Sequence, residues 1–253
     1  MNTMPNFNDL VFIPNINTGD NRNQNYKYSI KSWKNWGDKN GVKVIEWTEP
    51  IVDPKYMKIT LQRYWVHDIL EHNDIEYDQV LMVDADTIVH PNTPNFFNKT
   101  NHKLGVVHNE GCYDWIIRSM ENYHKHLFNN EPMPFHFWEY INTGFLIFNK
   151  NHKQFLQDFI SFYSQHKDLI INLQSTYHVG TCQPVFNYFL RQKNIEHTFL
   201  PYEYNMCDLP RKEILDNELT MTNVGWVYHY NAIPQQFGKP EYWMEKTYKK
   251  LYG

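Results

Sequence analysis

The stretch "QVLMVDADTIVHPN", residues 79–92, leads four consecutive apolar residues directly into a pair of carboxylates. Val80 to Val83 form a short apolar run of the kind that predicts a buried β-strand. Asp84 ends that run, and Asp86 begins the turn that follows it. In open α/β sheets, ligands bind outside the carboxyl ends of the strands, so the two acidic side chains are candidates for a ligand site.

Two carboxylates at positions i and i+2 across a strand end can face one hard cation. Oxygen ligands of this kind suit Mg²⁺ or Mn²⁺, especially when substrate phosphates complete the coordination shell. The pattern also has an ordinary structural interpretation, in which the acidic residues and Thr87 close the strand with a solvated turn. The buried run before the acidic pair favours the metal interpretation.

On either side of this stretch, short apolar runs alternate with longer amphipathic segments. The predicted strands are 10–14, 42–47, 79–84, 104–108, 144–149, 197–201 and 225–230, and the predicted helices are 22–40, 56–73, 151–168, 182–193 and 240–252. This alternation predicts an α/β fold whose mostly parallel sheet has helices on both faces. We expect a single domain over residues 1–253, in which the irregular segment 109–140 forms an acceptor loop or a lid.

The composition is that of an ordinary globular protein, with 253 residues, 42% hydrophobic and 21% charged. The net charge of −4 and the lack of a dense Lys/Arg block argue against a nucleic-acid partner, although a local basic patch would allow one. Cys112, Cys182 and Cys207 lie far apart, which predicts reduced thiols. Neither a signal-peptide pattern nor a membrane-spanning apolar run is visible, so we expect a cytoplasmic protein.

The acidic stretch extends to "VLMVDADTIVHPNTPNFF" (80–97), which resembles the DxD region of GT-A fold glycosyltransferases. The resemblance is strongest to the glycogenin and bacterial galactosyltransferase family, glycosyltransferase family 8. Four more segments match that family in order, namely "LQRYWVHDIL" (61–70), "YINTGFLIFNK" (140–150), "CQPVFNYFL" (182–190) and "HYNAIPQQFGKPEYW" (229–243). Each motif is weak alone, whereas five in the right order are fairly specific.

The resemblance implies a GT-A fold and a metal-dependent glycosyltransferase. Such an enzyme would move a sugar from a nucleotide-diphosphate donor, a UDP-sugar by preference, to a hydroxyl acceptor with retention of configuration. The implied metal ligands are Asp84, Asp86 and His229. Because imidazole suits borderline metals, His229 favours Mn²⁺ over Mg²⁺. Without the resemblance, His229 has a competing interpretation as a strand-end histidine packed between Tyr228 and Tyr230.

The remaining implied roles concern the donor and the sugar. Asp84 would also lie near the donor ribose, Lys239 would contact the diphosphate, and Arg63 would lie nearby. Asn142 and Gly144 would line the sugar pocket, and Gln183 would lie beside the anomeric carbon. The residues themselves suggest two further contacts, namely the turn at Asn15, where a nucleotide base can lodge, and the pair Glu110 and Asp114, which can bind sugar hydroxyls or serve as a base.

Two departures from the family pattern keep alternatives open. Cys182 stands where the family has an aspartate before the glutamine, and an insertion separates His229 from Gly238. A non-catalytic sugar-binding protein is therefore one alternative. A sugar-phosphate nucleotidyltransferase is another, although residues 14–24, "PNINTGDNRNQ", lack its Gly-rich loop. The acceptor is left open among a glycan, a protein, a lipid-linked glycan and a modified nucleobase.

Overall fold

The computed structural model describes residues 8–19, 21–131, 134–207, 209 and 218–253. Six strands form the central sheet: β1 (Leu10–Pro14), β2 (Lys43–Trp47), β3 (Gln79–Val83), β5 (Leu104–His108), β6 (Ile141–Asn149) and β7 (His197–Phe199). A small second sheet pairs β4 (Thr87–Val89) with β8 (Val227–His229). The α-helices are α1 (Lys27–Asn40), α2 (Ile59–Gln62), α3 (Val66–His72), α4 (Tyr113–His126), α5 (Lys153–Tyr177), α6 (Cys182–Gln192) and α7 (Pro240–Tyr252).

The central sheet has the strand order β2-β1-β3-β6-β5-β7. Strand β1 pairs in parallel with β2 and β3, and β5 pairs in parallel with β7, whereas β6 runs antiparallel to both of its neighbours. Five strands therefore share one direction and only β6 is reversed. The predicted α/β class with a mostly parallel sheet is confirmed, and all seven predicted strands are present.

Helices cover both faces of this sheet, as the apolar pattern predicts. In β3, Val80 and Met82 pack on one face with side chains from α2 to α6. Leu81 and Val83 pack on the other face with Trp33 and other residues of α1. Burying each such side chain contributes about 1.5–3 kcal/mol. A strand that is buried on both faces is therefore continuously apolar until its end, where Asp84 follows.

The reversal of β6 determines what surrounds the acidic pair. Val83 pairs with Phe145, and the backbone N–H of Asp84 donates to the carbonyl of Gly144 (2.9 Å). Because β6 is antiparallel, its N-terminal residues lie at the carboxyl end of β3. Asn142 of β6 pairs with Val107, near the carboxyl end of β5. The ends of β3 and β5 and the start of β6 consequently meet at one edge of the sheet.

The expectation that segment 109–140 is irregular is wrong. Residues 113–126 form helix α4, and residues 137–139 form a 3-10 turn, whereas residues 132 and 133 lie outside the described part of the chain. Helix α4 buries Ile116, Ser119, Met120 and Tyr123, which have the i, i+3, i+4, i+7 spacing of an amphipathic helix. The surrounding Asn and His residues obscured that spacing.

The extents of the helices also differ from the prediction. The single helix expected over 56–73 is broken into α2 and α3 by a 3-10 turn at Arg63–Trp65. The Gln62 side chain bonds to the backbone of Ile51, Val52 and Met57, which anchors this break. Helix α5 continues nine residues beyond the predicted end at 168, because Ile170 and Leu173 are buried.

Each helix that the structure describes is too short or too polar to cross a lipid bilayer. None of the three cysteines forms a disulfide.

Candidate active site

Asp84, Asp86 and His229 form a compact group at the carboxyl end of the central sheet. One ligand atom from each lies within 4.8 Å of the others. His229 Nε2 lies 3.2 Å from Asp86 Oδ1 and 3.7 Å from Asp84 Oδ2. The small sheet produces this meeting, because β4 begins one residue after Asp86 and its Thr87 pairs with His229. The three residues that the resemblance implies as metal ligands are thus brought together.

The His229 ring is held in an orientation that directs Nε2 toward the carboxylates. The side chain is 2% exposed, and its Nδ1 lies 3.0 Å from Asn205 Oδ1. Since an amide oxygen only accepts, Nδ1 donates, and the neutral form of the ring, which is the form that binds a metal, carries its lone pair on Nε2. Nε2 itself is buried, and the nearest acceptor to it is Asp86 Oδ1 at 3.2 Å. Burial opposes a charge on the ring, but Asp86 and Asp84 outweigh it and raise the pKa of His229.

The residues present fit a divalent cation. Two carboxylate oxygens and one imidazole nitrogen are a donor set that Mn²⁺ accepts. Burial works against the charge of Asp86, but His229 outweighs it and lowers the pKa of Asp86, so this carboxylate stays ionised at neutral pH. Space for the group depends on Gly144, since a Cβ there would meet His229 Cε1 at 2.3 Å and Asp84 Oδ2 at 2.9 Å.

Arg63 approaches the acidic pair from the 3-10 turn between α2 and α3. It forms an ion pair with Asp84 Oδ1 and donates to Thr143 Oγ1 (2.9 Å). Burial disfavours the charged guanidinium, but Asp84, Tyr64 and Cys182 together raise the pKa of Arg63. Asp84 consequently presents one oxygen to Arg63 and the other to His229. Arg63 therefore fixes the orientation of a candidate metal ligand.

A network of side-chain amides continues from His229 across the edge of the sheet. Asn205 Nδ2 donates to Asn142 Oδ1 (3.0 Å), and Asn142 Nδ2 donates to Asn109 Oδ1 (2.8 Å). Gln183 Nε2 donates to the same Asn109 oxygen (3.1 Å), and Gln183 Oε1 accepts from the Thr143 N–H (3.0 Å). Gln183 and Asn142 are therefore held in defined orientations.

A cleft of about 640 Å³ opens over this edge of the sheet, a volume typical of small-molecule sites. Its lining includes eight residues singled out in the sequence, namely Asn15, Arg63, Asp84, Asp86, Glu110, Asp114, Cys182 and Gln183. Asn142, Gly144 and His229 are buried beneath them. Cys182, which stands where the motif resemblance predicts an aspartate, begins α6 at the cleft wall, where a thiol provides no carboxylate.

The structure does not bring Lys239 into this cleft. Its side chain is 83% exposed, its ammonium lies 3.9 Å from Glu241, and it is not among the described residues that line the cleft. Its contact with the diphosphate stays a prediction. Arg22 lines the cleft instead, immediately after the turn that follows β1. The insertion between His229 and Gly238 lies in the same segment as Lys239.

Asn15 lies at the cleft wall, and its side chain also has a structural role. Its Nδ2 donates to the backbone carbonyl of Asn23 (3.0 Å) and to Glu46 Oε1 (2.8 Å). The backbone N–H of Asn15 donates to the carbonyl of Trp47 (2.9 Å). These bonds fix the turn after β1, which forms one wall of the cleft.

Sequence reasoning missed four polar residues of the site. Asn109 directly follows β5, so the strand-end rule that identified Asp84 would have found it. Thr143 lies between Asn142 and Gly144 in the motif at 140–150, where only those two neighbours are predicted as site residues. The sequence predicts only a helix at Arg22. Asn205 follows a short 3-10 turn in an irregular segment, and no sequence signal marks its contact with His229.

Comparisons with known proteins support the same architecture. No protein-family model and no curated protein sequence matches this chain. A solved glycosyltransferase involved in the glycosylation of the major capsid of PBCV-1 superposes on 94% of this chain and 98% of its own, with a TM-score of 0.59 and 12% sequence identity. At that identity the similarity establishes the fold, so the chain has a GT-A type fold.

Two further solved structures align over most of the chain. Mouse xyloside xylosyltransferase 1 covers 89% of this chain and 99% of its own at 10% identity, with a TM-score of 0.48. The galactosyltransferase LgtC covers 97% of this chain and 96% of its own at 13% identity, with a TM-score of 0.46.

Proposed function

We propose that this protein is a metal-dependent glycosyltransferase that moves a sugar from a nucleotide-diphosphate donor to a hydroxyl acceptor. The observation that carries the proposal is the group Asp84, Asp86 and His229. One ligand atom from each of the three lies within 4.8 Å of the others, and the two carboxylates line a cleft of about 640 Å³. The GT-A type fold and the five motifs support the same assignment.

The chemistry of sugar transfer explains why such a group is useful. Breaking the bond between a sugar and a nucleoside diphosphate leaves new negative charge on the departing phosphate. A divalent cation held by Asp84, Asp86 and His229, preferably Mn²⁺, would neutralise that charge. Arg63 would keep Asp84 in place and Arg22 would provide a further positive charge at the cleft wall.

The ends of the cleft suggest where each part of the donor lies. The turn at Asn15 after β1 would receive the nucleotide base, and a UDP-sugar is the donor that the motif resemblance favours. Gln183 and Asn142 would contact the transferred sugar. We propose retention of configuration, with the fixed amide of Gln183 beside the anomeric carbon rather than a covalent nucleophile.

Incubating the protein with a panel of UDP-, GDP- and ADP-sugars in the presence of Mn²⁺ or Mg²⁺ tests this proposal. We expect slow hydrolysis of one UDP-sugar, measured as released UDP, because water can replace the acceptor. EDTA should abolish the release, and Mn²⁺ should restore it more effectively than Mg²⁺.

Other outcomes of that panel would replace the proposal. Formation of a nucleoside triphosphate from a nucleotide sugar and pyrophosphate would identify a nucleotidyltransferase. Binding of a nucleotide sugar without turnover, with or without added acceptors, would identify a non-catalytic sugar-binding protein, for which Cys182 is the supporting feature.

The variants Arg22→Ala and Lys239→Ala form a matched pair that tests which cation contacts the donor. A charge-assisted hydrogen bond contributes about 1.5–3 kcal/mol, so we expect Arg22→Ala to raise the KM for the donor by about ten- to a hundredfold. Lys239→Ala should change KM less than twofold, because its side chain is solvent-exposed. If instead Lys239→Ala raised the KM and Arg22→Ala did not, Lys239 rather than Arg22 would contact the diphosphate.

A further inference from the structure

Three exposed aromatic side chains lie together beside the cleft. Tyr113, Phe137 and Trp138, here called the aromatic platform, are 47%, 36% and 57% exposed. The ring centroids of Tyr113 and Phe137 are 5.6 Å apart, and those of Phe137 and Trp138 are 5.1 Å apart. Single exposed apolar residues are ordinary on a protein surface, but a contiguous exposed group of rings indicates a binding surface.

The platform is held in place by its own neighbours. The His136 ring stacks on Trp138 with centroids 4.2 Å apart and an interplanar angle of 13°. The backbone N–H of His136 donates to Glu139 Oε2 (2.7 Å), which closes the 3-10 turn that carries Phe137 and Trp138. Because the rings are positioned before any ligand arrives, binding would lose little conformational entropy.

The platform is continuous with the cleft along helix α4. Tyr113 lies between Cys112 and Asp114, which both line the cleft, and Arg118 lines it one turn further on. Asp114 Oδ2 lies 3.4 Å from the Arg118 guanidinium, and both side chains are partly exposed. The platform therefore adjoins hydrogen-bond donors and acceptors of the cleft wall through its sequence neighbours on α4.

We infer that the aromatic platform binds a saccharide and that the acceptor hydroxyl belongs to that saccharide. A pyranose ring has an apolar face of C–H groups and an edge of hydroxyl groups. The rings of Tyr113 and Trp138 match the face, and the pair Asp114 and Arg118 matches the edge. The inference rests on the proposed transferase function, since that function makes the ligand an acceptor.

The size of the surface favours a saccharide over a folded protein. A stable protein interface buries about 800 Å² on each partner and is built around a large continuous patch. Here three rings adjoin a cleft of about 640 Å³, a volume in the range of small-molecule sites. An extended chain of sugars would pass from the platform into the cleft.

An array of defined oligosaccharides tests the inference. The array contains hexoses and N-acetylhexosamines and is probed with this protein, with and without UDP and Mn²⁺. We expect at least one oligosaccharide to bind, and Trp138→Ala or Tyr113→Ala to weaken that binding about tenfold. Trp138→Phe should restore most of the affinity, since it keeps an aromatic face. Tyr56→Ala, which removes a ring that is 73% exposed elsewhere, is the matched control and should leave affinity unchanged.

Three results would overturn the inference. They are the absence of oligosaccharide binding in either condition, a Trp138→Ala variant that binds like the parent, and platform-dependent glycosylation of Ser/Thr peptides. The outcome is separable from that of the proposed function. Platform-dependent saccharide binding in a protein that turns over no nucleotide sugar would contradict only the transferase, and turnover without such binding would contradict only the platform.

Discussion

Replacing Asp86 by asparagine is expected to lower metal-dependent donor turnover by about a hundredfold to a thousandfold. Asparagine keeps the shape of the side chain but removes the negative charge that lies 3.2 Å from His229 Nε2. The loss should appear first as weaker Mn²⁺ binding, because the remaining set has one anionic ligand instead of two. Mn²⁺ affinity, measured by titration calorimetry or by the free-ion signal in electron paramagnetic resonance, is a readout independent of turnover.

Asp158→Asn is the matched control for this experiment. Asp158 is half-buried on α5 and forms an ion pair with Lys193 at 3.6 Å, an interaction that contributes about 0–1 kcal/mol. We expect this variant to bind Mn²⁺ and turn over donor like the parent protein. If Asp86→Asn instead retained the parent's Mn²⁺ affinity, the metal site would lie elsewhere and the proposed mechanism would fail.

The sequence was most informative where a single strand carried the whole signal. The apolar run of β3 is buried on both faces, and the rule for strand ends places a ligand site immediately after it. Asp84 and Asp86 could therefore be identified from residues 79–92 alone. The mostly parallel sheet followed from the alternation of elements, although no local pattern revealed that β6 runs in reverse.

Contacts between distant segments were much harder to predict. His229 reaches Asp86 because two three-residue strands pair, and β4 was not predicted at all, as it is too short to show a period. Only the motif resemblance suggested His229 as a ligand. The same resemblance suggested Lys239, which is not among the described residues that line the cleft, so its contact with the diphosphate stays a prediction.

The second large effect is expected for Gly144→Ala, a change of one methyl group in β6. A Cβ at this position would meet His229 Cε1 at 2.3 Å, and Asp84 Oδ2 and Asn142 Oδ1 at 2.9 Å each. These neighbours cannot move freely, because Asn205 holds the imidazole and Arg63 holds the carboxylate. We expect Mn²⁺ affinity to fall about ten- to a hundredfold and the free energy of unfolding to drop by about 1–3 kcal/mol.

Gly105→Ala separates the loss of stability from the loss of Mn²⁺ affinity, because it crowds the neighbouring strand β5 without touching the site. A Cβ there would meet Thr100 Cγ2 at 2.7 Å and Ile147 Cβ at 3.0 Å. We expect a comparable loss of stability in chemical denaturation but an unchanged Mn²⁺ affinity. If Gly144→Ala lost stability and yet bound Mn²⁺ like the parent, the space beside His229 would serve packing alone. If Gly144→Ala lost Mn²⁺ affinity and Gly105→Ala did not, β6 would require glycine at position 144 because a larger side chain would displace the metal ligands His229 and Asp84.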